Sequence, residues 1–414
     1  MDALLFLAHR IPFPPNKGDK IRSFHLLRHL GRRYRVFLGT FVDDPADAQH
    51  VDAVQALCAE AFVARIQPGA SRIRSLSGLL NGEPLTLPYF RDQALDAWVD
   101  RVVAREAVST AFVFSSAMAQ YVTGRPQLRT VVDFVDVDSA KWDEYSTRRG
   151  WPLSALYRRE GRRLLDYERR VCRSADAAIF VTEEEAELFR RRAPECAERL
   201  AVIGNGVDAE HFSPRLELPS PYAAGEKAIV FTGAMDYWPN ADAAAWFARE
   251  VLPLVRREQP AARFYVVGMN PGAAVQALGR DGATVVTGRV ADVRPYVRHA
   301  RVAVVPLRVA RGIQNKVLEA MAMGKPVVVT PACAASLEAV PGREIAVASD
   351  ATAFARAVLE LIDGARSAEM GTAARARVLA SYSWDASLAG LDRLLDRIAG
   401  RPERRVPVRD SAAA

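Results

Sequence analysis

Lys316 and Glu319 stand three residues apart in the run Arg311-Gly312-Ile313-Gln314-Asn315-Lys316-Val317-Leu318-Glu319, just behind a glycine-bearing turn. On a helix that spacing projects an ammonium and a carboxylate from one face. A helix starting near Gln314 points its free N–H groups and the positive end of its dipole at the preceding loop, which makes an anion site. With nothing bound, Lys316 in the first turn opposes that dipole; beside phosphate it is useful. The pair therefore suits a nucleoside diphosphate, with Lys316 at the diphosphate and Glu319 accepting both ribose hydroxyls. An ordinary surface Lys/Glu pair is the plain alternative.

Three further groups have chemistry to offer. Gly233 follows an apolar run and precedes Met235, Asp236, Pro239 and Asn240; a glycine there lets the backbone approach a ligand at a strand's carboxyl end. Near the N-terminus, Pro14 to Arg22 opens a helix, with Asn16, Gly18 and Asp19 among the cations Lys17, Lys20 and Arg22. Such a loop can hold a phosphate, from a donor or from a phosphorylated lipid acceptor. It lacks the GxxxxGK[ST] spacing of a nucleoside triphosphatase. His9 ends the first apolar run, whereas His25, between Phe24 and Leu26, reads as structural. Asp133, Asp136 and Asp138 cluster at the end of another run, where a metal site is the rival use.

The elements that must position these residues are legible from hydropathy. Short apolar runs alternate with amphipathic helical patterns, which predicts parallel sheets built from βαβ units. The expected strands in the first half are 4–8, 36–41, 61–66, 111–115, 130–134, 177–181 and 200–203; in the second they are 228–232, 263–267, 284–287, 302–306 and 326–330. Each half makes a complete doubly wound set. The expected division is an N-terminal Rossmann-like domain over 1–204 and a C-terminal one over 205–385. Residues 204–227 form a proline-rich joint, the helix at 386–399 packs back toward the first domain, and the tail at 400–414 is disordered.

The chain has 414 residues, half of them apolar and a quarter charged, enough for two ordinary α/β cores. Cys58, Cys172, Cys196 and Cys333 are scattered, without CxxC or metal-ligand spacing, and read as buried thiols of a reducing compartment. The N-terminal apolar run spans only Ala3 to Ala8 behind Asp2, so it is a first strand, not a signal peptide. No stretch approaches the roughly 20 apolar residues of a spanning helix. The formal charge of +7 comes mostly from arginine, as at Arg158, Arg159, Arg162 and Arg163, and favours anionic partners. Nucleic acid is not expected, because those arginines lie on amphipathic helices without interleaved aromatic residues.

The stretch LEAMAMGKPVVVT resembles the signature helix and strand of glycosyltransferase family 4, the retaining enzymes of GT-B architecture. Further similar pieces are VTEEEAELF, VIGNGVDAEHFSP, VFTGAMDYWPNADAAAWF and YSW. HRIPFPPNKGDKIRSFHLLRHL and DFVDVDSAKW resemble the sugar transferases of exopolysaccharide and PEP-CTERM (exosortase) gene clusters. The resemblance runs over nearly the whole chain. It implies two Rossmann-like domains facing a central cleft, a nucleotide-sugar donor, a glycan or lipid-linked acceptor, and no metal or other cofactor; the scattered thiols suit a cytoplasmic location, and the arginine-rich helices suit peripheral contact with an anionic membrane.

The same resemblance assigns roles. Val286 to Val297 matches the loop that cradles the base, with Gly288, Arg289 and Val290 at its edge, and the donor loop continues through Gly312, Ile313, Gln314 and Asn315. Asp136 and Asp138 stand where the family places a polar residue toward the acceptor hydroxyl; Asp133 stays structural. Asn16, Lys17, Gly18, Asp19 and Arg22 match the family's first loop, and His9, at the end of the first strand, faces the expected cleft as a further acceptor-side contact. Two departures stand out. A family glutamate eight positions before Glu319 is replaced by Arg311, which can clamp phosphate or an acidic sugar instead. Asp236-Tyr237-Trp238 replaces a frequent basic pair. Retention needs no inverting base, so catalysis is expected from electrostatic stabilisation by Lys316, the helix N-terminus and Arg311. A nucleotide-sugar epimerase and a non-catalytic binding module are the rivals; a dinucleotide-dependent oxidoreductase is disfavoured because no GxGxxG follows either first strand.

Overall fold

The computed structural model describes residues 1–15, 18–147, 150–310 and 313–401. It contains two compact units, Met1–Asn205 together with Ser387–Ala414, and Gly206–Ala386.

The first unit is built on seven parallel strands: β1 (Ala3–Ala8), β2 (Arg35–Val42), β3 (Glu60–Arg65), β4 (Thr110–Phe114), β5 (Arg129–Val135), β6 (Ala177–Phe180) and β7 (Leu200–Val202). Their order is β3-β2-β1-β4-β5-β6-β7. The second unit carries β8 (Lys227–Thr232), β9 (Ala262–Val267), β10 (Thr284–Gly288), β11 (Val302–Val305), β12 (Val327–Val329) and β13 (Ala346–Val347), ordered β10-β9-β8-β11-β12-β13 and also parallel. Helices cover both faces of such sheets, so the central strands are apolar throughout rather than alternating. Leu4 to Ala8 in β1 and Val327 to Val329 in β12 are fully buried.

Twelve of these strands lie within a residue or two of their expected positions. The thirteenth, β13, is two residues long and leaves no periodicity to read. In both sheets the strand order reverses beside the first strand of the unit, between β1 and β4 and between β8 and β11. Ligands of doubly wound sheets bind outside the carboxyl ends of the strands at such reversals, because the chain leaves the two neighbours toward opposite faces and opens a crevice.

From Gly206 on, the stretch expected as a joint belongs to the second unit. Val207 and Ala209 are buried in its core, and Arg375 donates to the Phe212 carbonyl at 3.3 Å. Gly206 is required there: a Cβ would stand 2.6 Å from the Trp384 nitrogen. The last helix, Trp384–Ile398, buries Leu388, Leu391, Leu394 and Leu395, a stripe at helical spacing. Arg33 holds it through Asp392 at 2.5 Å and Asp396 at 2.6 Å. Of the expected tail, 402–414 lie outside the described residues. All four cysteines are free thiols; Cys172, Cys196 and Cys333 are buried and Cys58 is half-buried.

Candidate functional site

In the second unit, β8 delivers Gly233 to the reversal point. Its N–H donates to Val267 at 3.0 Å, and the neighbouring β9 end approaches so closely that a Cβ on Gly268 would lie 1.7 Å from the Gly233 oxygen. A Cβ on Gly233 itself would stand 2.8 Å from Asn240 Nδ2 and 3.1 Å from Lys316 Nζ. Only hydrogen fits between this backbone and the ammonium. The helix α1 (Trp238–Trp246) carries Asn240, which is 5% exposed; its Nδ2 donates to the Ala234 carbonyl at 2.8 Å and its Oδ1 accepts from Lys316 Nζ at 2.6 Å. The ammonium also lies over the Phe231 ring, 5.0 Å from its centroid.

Helix α2 (Asn315–Ala322) presents Lys316 in its first turn, and Val317, Leu318, Ala320, Met321 and Ala322 anchor its other face in the core. Among the described residues Gln314 makes no side-chain capping bond to this helix, and of the first-turn N–H groups that of Val317 donates to the Gln314 carbonyl at 2.9 Å. Burial pulls the Lys316 ammonium down to about 8, opposed by Cys333 and Glu319. Burial pushes the Glu319 carboxyl up to about 7, opposed by Lys316. The pair is thus short of counter-charge and solvent, a state that a bound anion relieves on the lysine side.

Other donor-side expectations are distributed differently. Met235 is 2% exposed and belongs to the core; its N–H donates to Met269. As a side-chain contact it is corrected to a packing residue. Asp236 is exposed and accepts from Asn270 Nδ2 at 3.0 Å, and Tyr237 and Trp238 beside it are exposed. Gly288 has a left-handed φ of 68° and its carbonyl accepts from Gly268. Arg289 is exposed, while Val290 and Ile313 pack against the core. Gln314 is half-buried and Asn315 exposed. Arg311 and Gly312 lie outside the described residues.

In the first unit, a cavity of about 330 Å³ opens at the reversal between β1 and β4 and gathers His9, Gly18, Asp19, Arg22, Asp136 and Asp138. The His9 ring stacks on Phe114 with centroids 5.7 Å apart, and its Nε2 is 3.4 Å from Asp19. His9 Nδ1 is buried with no hydrogen-bond partner among the described residues. Although burial works against it, His9 and Arg10 hold the Asp19 carboxyl well below the usual carboxylate range.

Helix α3 (Gly18–Gly31) turns two of the expected phosphate-binding cations inward. Arg22 is 1% exposed; it donates to Asp133 at 2.8 Å, Ile203 at 2.9 Å, Asn205 at 3.0 Å and Gly204 at 3.3 Å. Its guanidinium is used on all three nitrogens, so Arg22 is corrected from phosphate ligand to a clamp within this unit. Lys20 is equally buried and pairs with Asp47 at 2.9 Å. Asn16 and Lys17 lie outside the described residues.

Asp136 and Asp138 do come together, through a residue that the sequence reading left unassigned. Lys141, on helix α4 (Asp138–Thr147), reaches both, at 2.9 and 3.0 Å. The i to i+3 spacing from Asp138 was the available signal; the tie to Asp136 needed the fold. Although burial works against it, the Asp138 and Asp136 carboxylates raise the Lys141 ammonium above its ordinary range. Ser115 and Val135, non-glycine residues at φ 79° and 68°, also line this cavity. Such strain clusters at ligand sites. Among the described residues, no group of three or more His, Cys, Asp or Glu is arranged to hold a metal ion.

Two parallel doubly wound sheets, each ending its switch point in polar residues, make this a protein of the GT-B fold. Sucrose-phosphate synthase from Thermosynechococcus elongatus is similar over 97% of this chain and 100% of its own, at 19% identity and TM-score 0.64. Anabaena HepE, solved in complex with UDP, matches over 96% of this chain and 100% of its own, at 16% identity and TM-score 0.62. The lipopolysaccharide glycosyltransferase WaaG matches over 96% and 100%, at 15% identity and TM-score 0.58. No curated protein sequence matches the chain.

Residues 20–211 match the family model Glycosyltransferase Family 4, and residues 226–364 match Glycosyl transferases group 1. These two matches support a glycosyltransferase of the family 4 type. No described helix is long and apolar enough to cross a membrane.

Proposed function

We propose that this chain transfers a sugar, with retention, from a nucleoside-diphosphate sugar to a glycan or lipid-linked acceptor in exopolysaccharide synthesis. The observation that carries the reading is Lys316: a desolvated ammonium seated on Asn240 and the Gly233 backbone, in the first turn of a helix. Charge develops on the leaving diphosphate as the glycosidic bond to it breaks. Lys316 and the α2 N–H groups stabilise that charge without help from a metal ion. Glu319 accepts the ribose hydroxyls, and Asp138 and Asp136, held by Lys141, orient the acceptor hydroxyl, whose proton passes to the leaving phosphate. The exopolysaccharide role rests on the sequence resemblance, and the cytoplasmic location on the four unpaired cysteines.

Contact with an anionic membrane is part of the same proposal. Ile73 is 73% exposed and Leu80 89%, beside Arg72 and Arg74 in the first unit. Apolar side chains among arginines suit a headgroup surface.

The direct test is Lys316→Ala in a mass-spectrometric transfer screen over common nucleotide sugars with cell-extracted lipid-linked acceptors. A fall in turnover of about 10²-fold or more, with the melting temperature kept, is expected from losing one preorganised charge. Unchanged transfer refutes the assignment. Sugar epimerisation without acceptor would point to the epimerase instead.

A further inference from the structure

A cavity of about 610 Å³ lies on the far edge of the second sheet, where its strands begin. Its lining includes Glu226, Arg301 and Pro326, the residues immediately before β8, β11 and β12. Gly233 follows β8 at its other end, so a strand length of about 13–20 Å separates this cavity from the Lys316 corner.

Arg298, Arg301 and Lys325 all line the cavity, and both arginines are close enough to act on the Lys325 charge. Among the described residues neither arginine has an ion-pair partner, and Arg298 Nε is buried with no hydrogen bond at all. Lys325 Nζ donates to the Ala300 carbonyl at 3.0 Å. The nearby carboxylates are engaged elsewhere: Glu226 accepts from Tyr265 at 2.6 Å and pairs with Arg263 at 3.2 Å, and Asp363 is held by Lys227 and Gln259. Helix α5 (Ala365–Arg377) opens into the same space through Gly364 and Ser367, and Gly364 has no side chain to cap it. Burial, and then the charges of Arg298 and Arg301, pull the Lys325 ammonium down to about 8. Three cations and a helix N-terminus thus meet on a polar cavity whose lining carboxylate, Glu226, is already paired with Arg263.

We propose that this cavity is a second anion site, which binds a small phosphorylated molecule separately from the sugar donor. Phosphate matches the lining. Its oxygens can take forked bonds from Arg298 and Arg301, a point charge from Lys325 and first-turn N–H groups from α5. The volume accommodates an organic phosphate rather than the bare ion alone.

Calorimetric titration of the full chain with pyrophosphate tests this. Wild type should show two sites. The double variant R298Q/R301Q should lose one of them by tenfold or more and keep the other; Lys316→Ala should do the reverse, which separates this inference from the donor reading. R298Q/R301Q should also melt no lower than wild type without ligand, because repulsion is removed, and should lose the pyrophosphate-induced rise in melting temperature that this site supplies. Should the double variant misfold, the exposed Arg301→Gln alone carries the test. Binding to phosphatidic acid vesicles that R301Q weakens, with no second pyrophosphate site, would keep the phosphate chemistry and assign its source to a lipid headgroup. Unchanged pyrophosphate and vesicle binding in a folded R298Q/R301Q protein would overturn the proposal.

Discussion

Lys316 Nζ donates to Asn240 Oδ1 at 2.6 Å, so the ammonium of the donor corner is positioned by a neutral amide and keeps its full charge for a ligand. Asn240 is in turn fixed by the Ala234 carbonyl, one residue past Gly233. Asn240→Ala removes both bonds. Nucleoside diphosphate affinity, read by calorimetry, should fall about tenfold, in line with ~1.5 kcal/mol for a hydrogen bond to a charged group. Affinity equal to wild type would show that the amide does not position the lysine.

Donor binding should depend on pH through the coupled pair. Lys316 must be protonated to hold phosphate, and burial lowers its titration to about 8; Glu319 must be ionised to accept ribose hydroxyls, and burial raises its titration to about 7. Affinity should therefore peak between those values, falling below the Glu319 titration and above the Lys316 titration, with both limbs belonging to the pair. Glu319→Gln should abolish the acid limb and leave the alkaline one. A flat profile from pH 6 to 9 would contradict the assignment.

Arg22 and Asp133 form an ion pair removed from solvent, with Asp133 also accepting from the Val135 N–H at 3.0 Å. Burial raises the Asp133 carboxyl, and Arg22 opposes that rise. Arg22→Met leaves the carboxylate buried and unpaired and should lower unfolding stability by about 3–5 kcal/mol in urea. The double variant R22M/D133N should recover part of that loss. A loss below about 1 kcal/mol for Arg22→Met would show that solvent reaches the pair.

Lys141 holds Asp136 and Asp138 together on the acceptor side. Lys141→Met should raise the acceptor KM several-fold while leaving nucleoside diphosphate affinity in place, since both of its carboxylate partners lie in the first unit. Equal loss of both affinities would instead indicate general destabilisation, visible in the melting curve.

The sheets were legible because parallel strands buried on both faces are continuous apolar runs, and β1, β8 and β12 have no polar interruption. The Lys316–Glu319 pair was legible because helical spacing alone puts i and i+3 on one face. Asn240 was noted only as a neighbour of Gly233; its bond to Lys316 joins residues 76 positions apart, and no local period encodes that. Two of the three cations of the first loop face inward for the complementary reason. Lys20 and Arg22 look solvated in a string of polar letters, but their partners Asp47 and Asp133 stand 27 and 111 residues away.

By itself, then, the chain's order of residues determined two doubly wound sheets and a charged pair at a helix start, since periodicity and strand propensity act over a few residues. The tertiary structure alone decided which charges face ligand and which face each other. Burial and long-range pairing set that outcome, and both depend on which strands lie side by side.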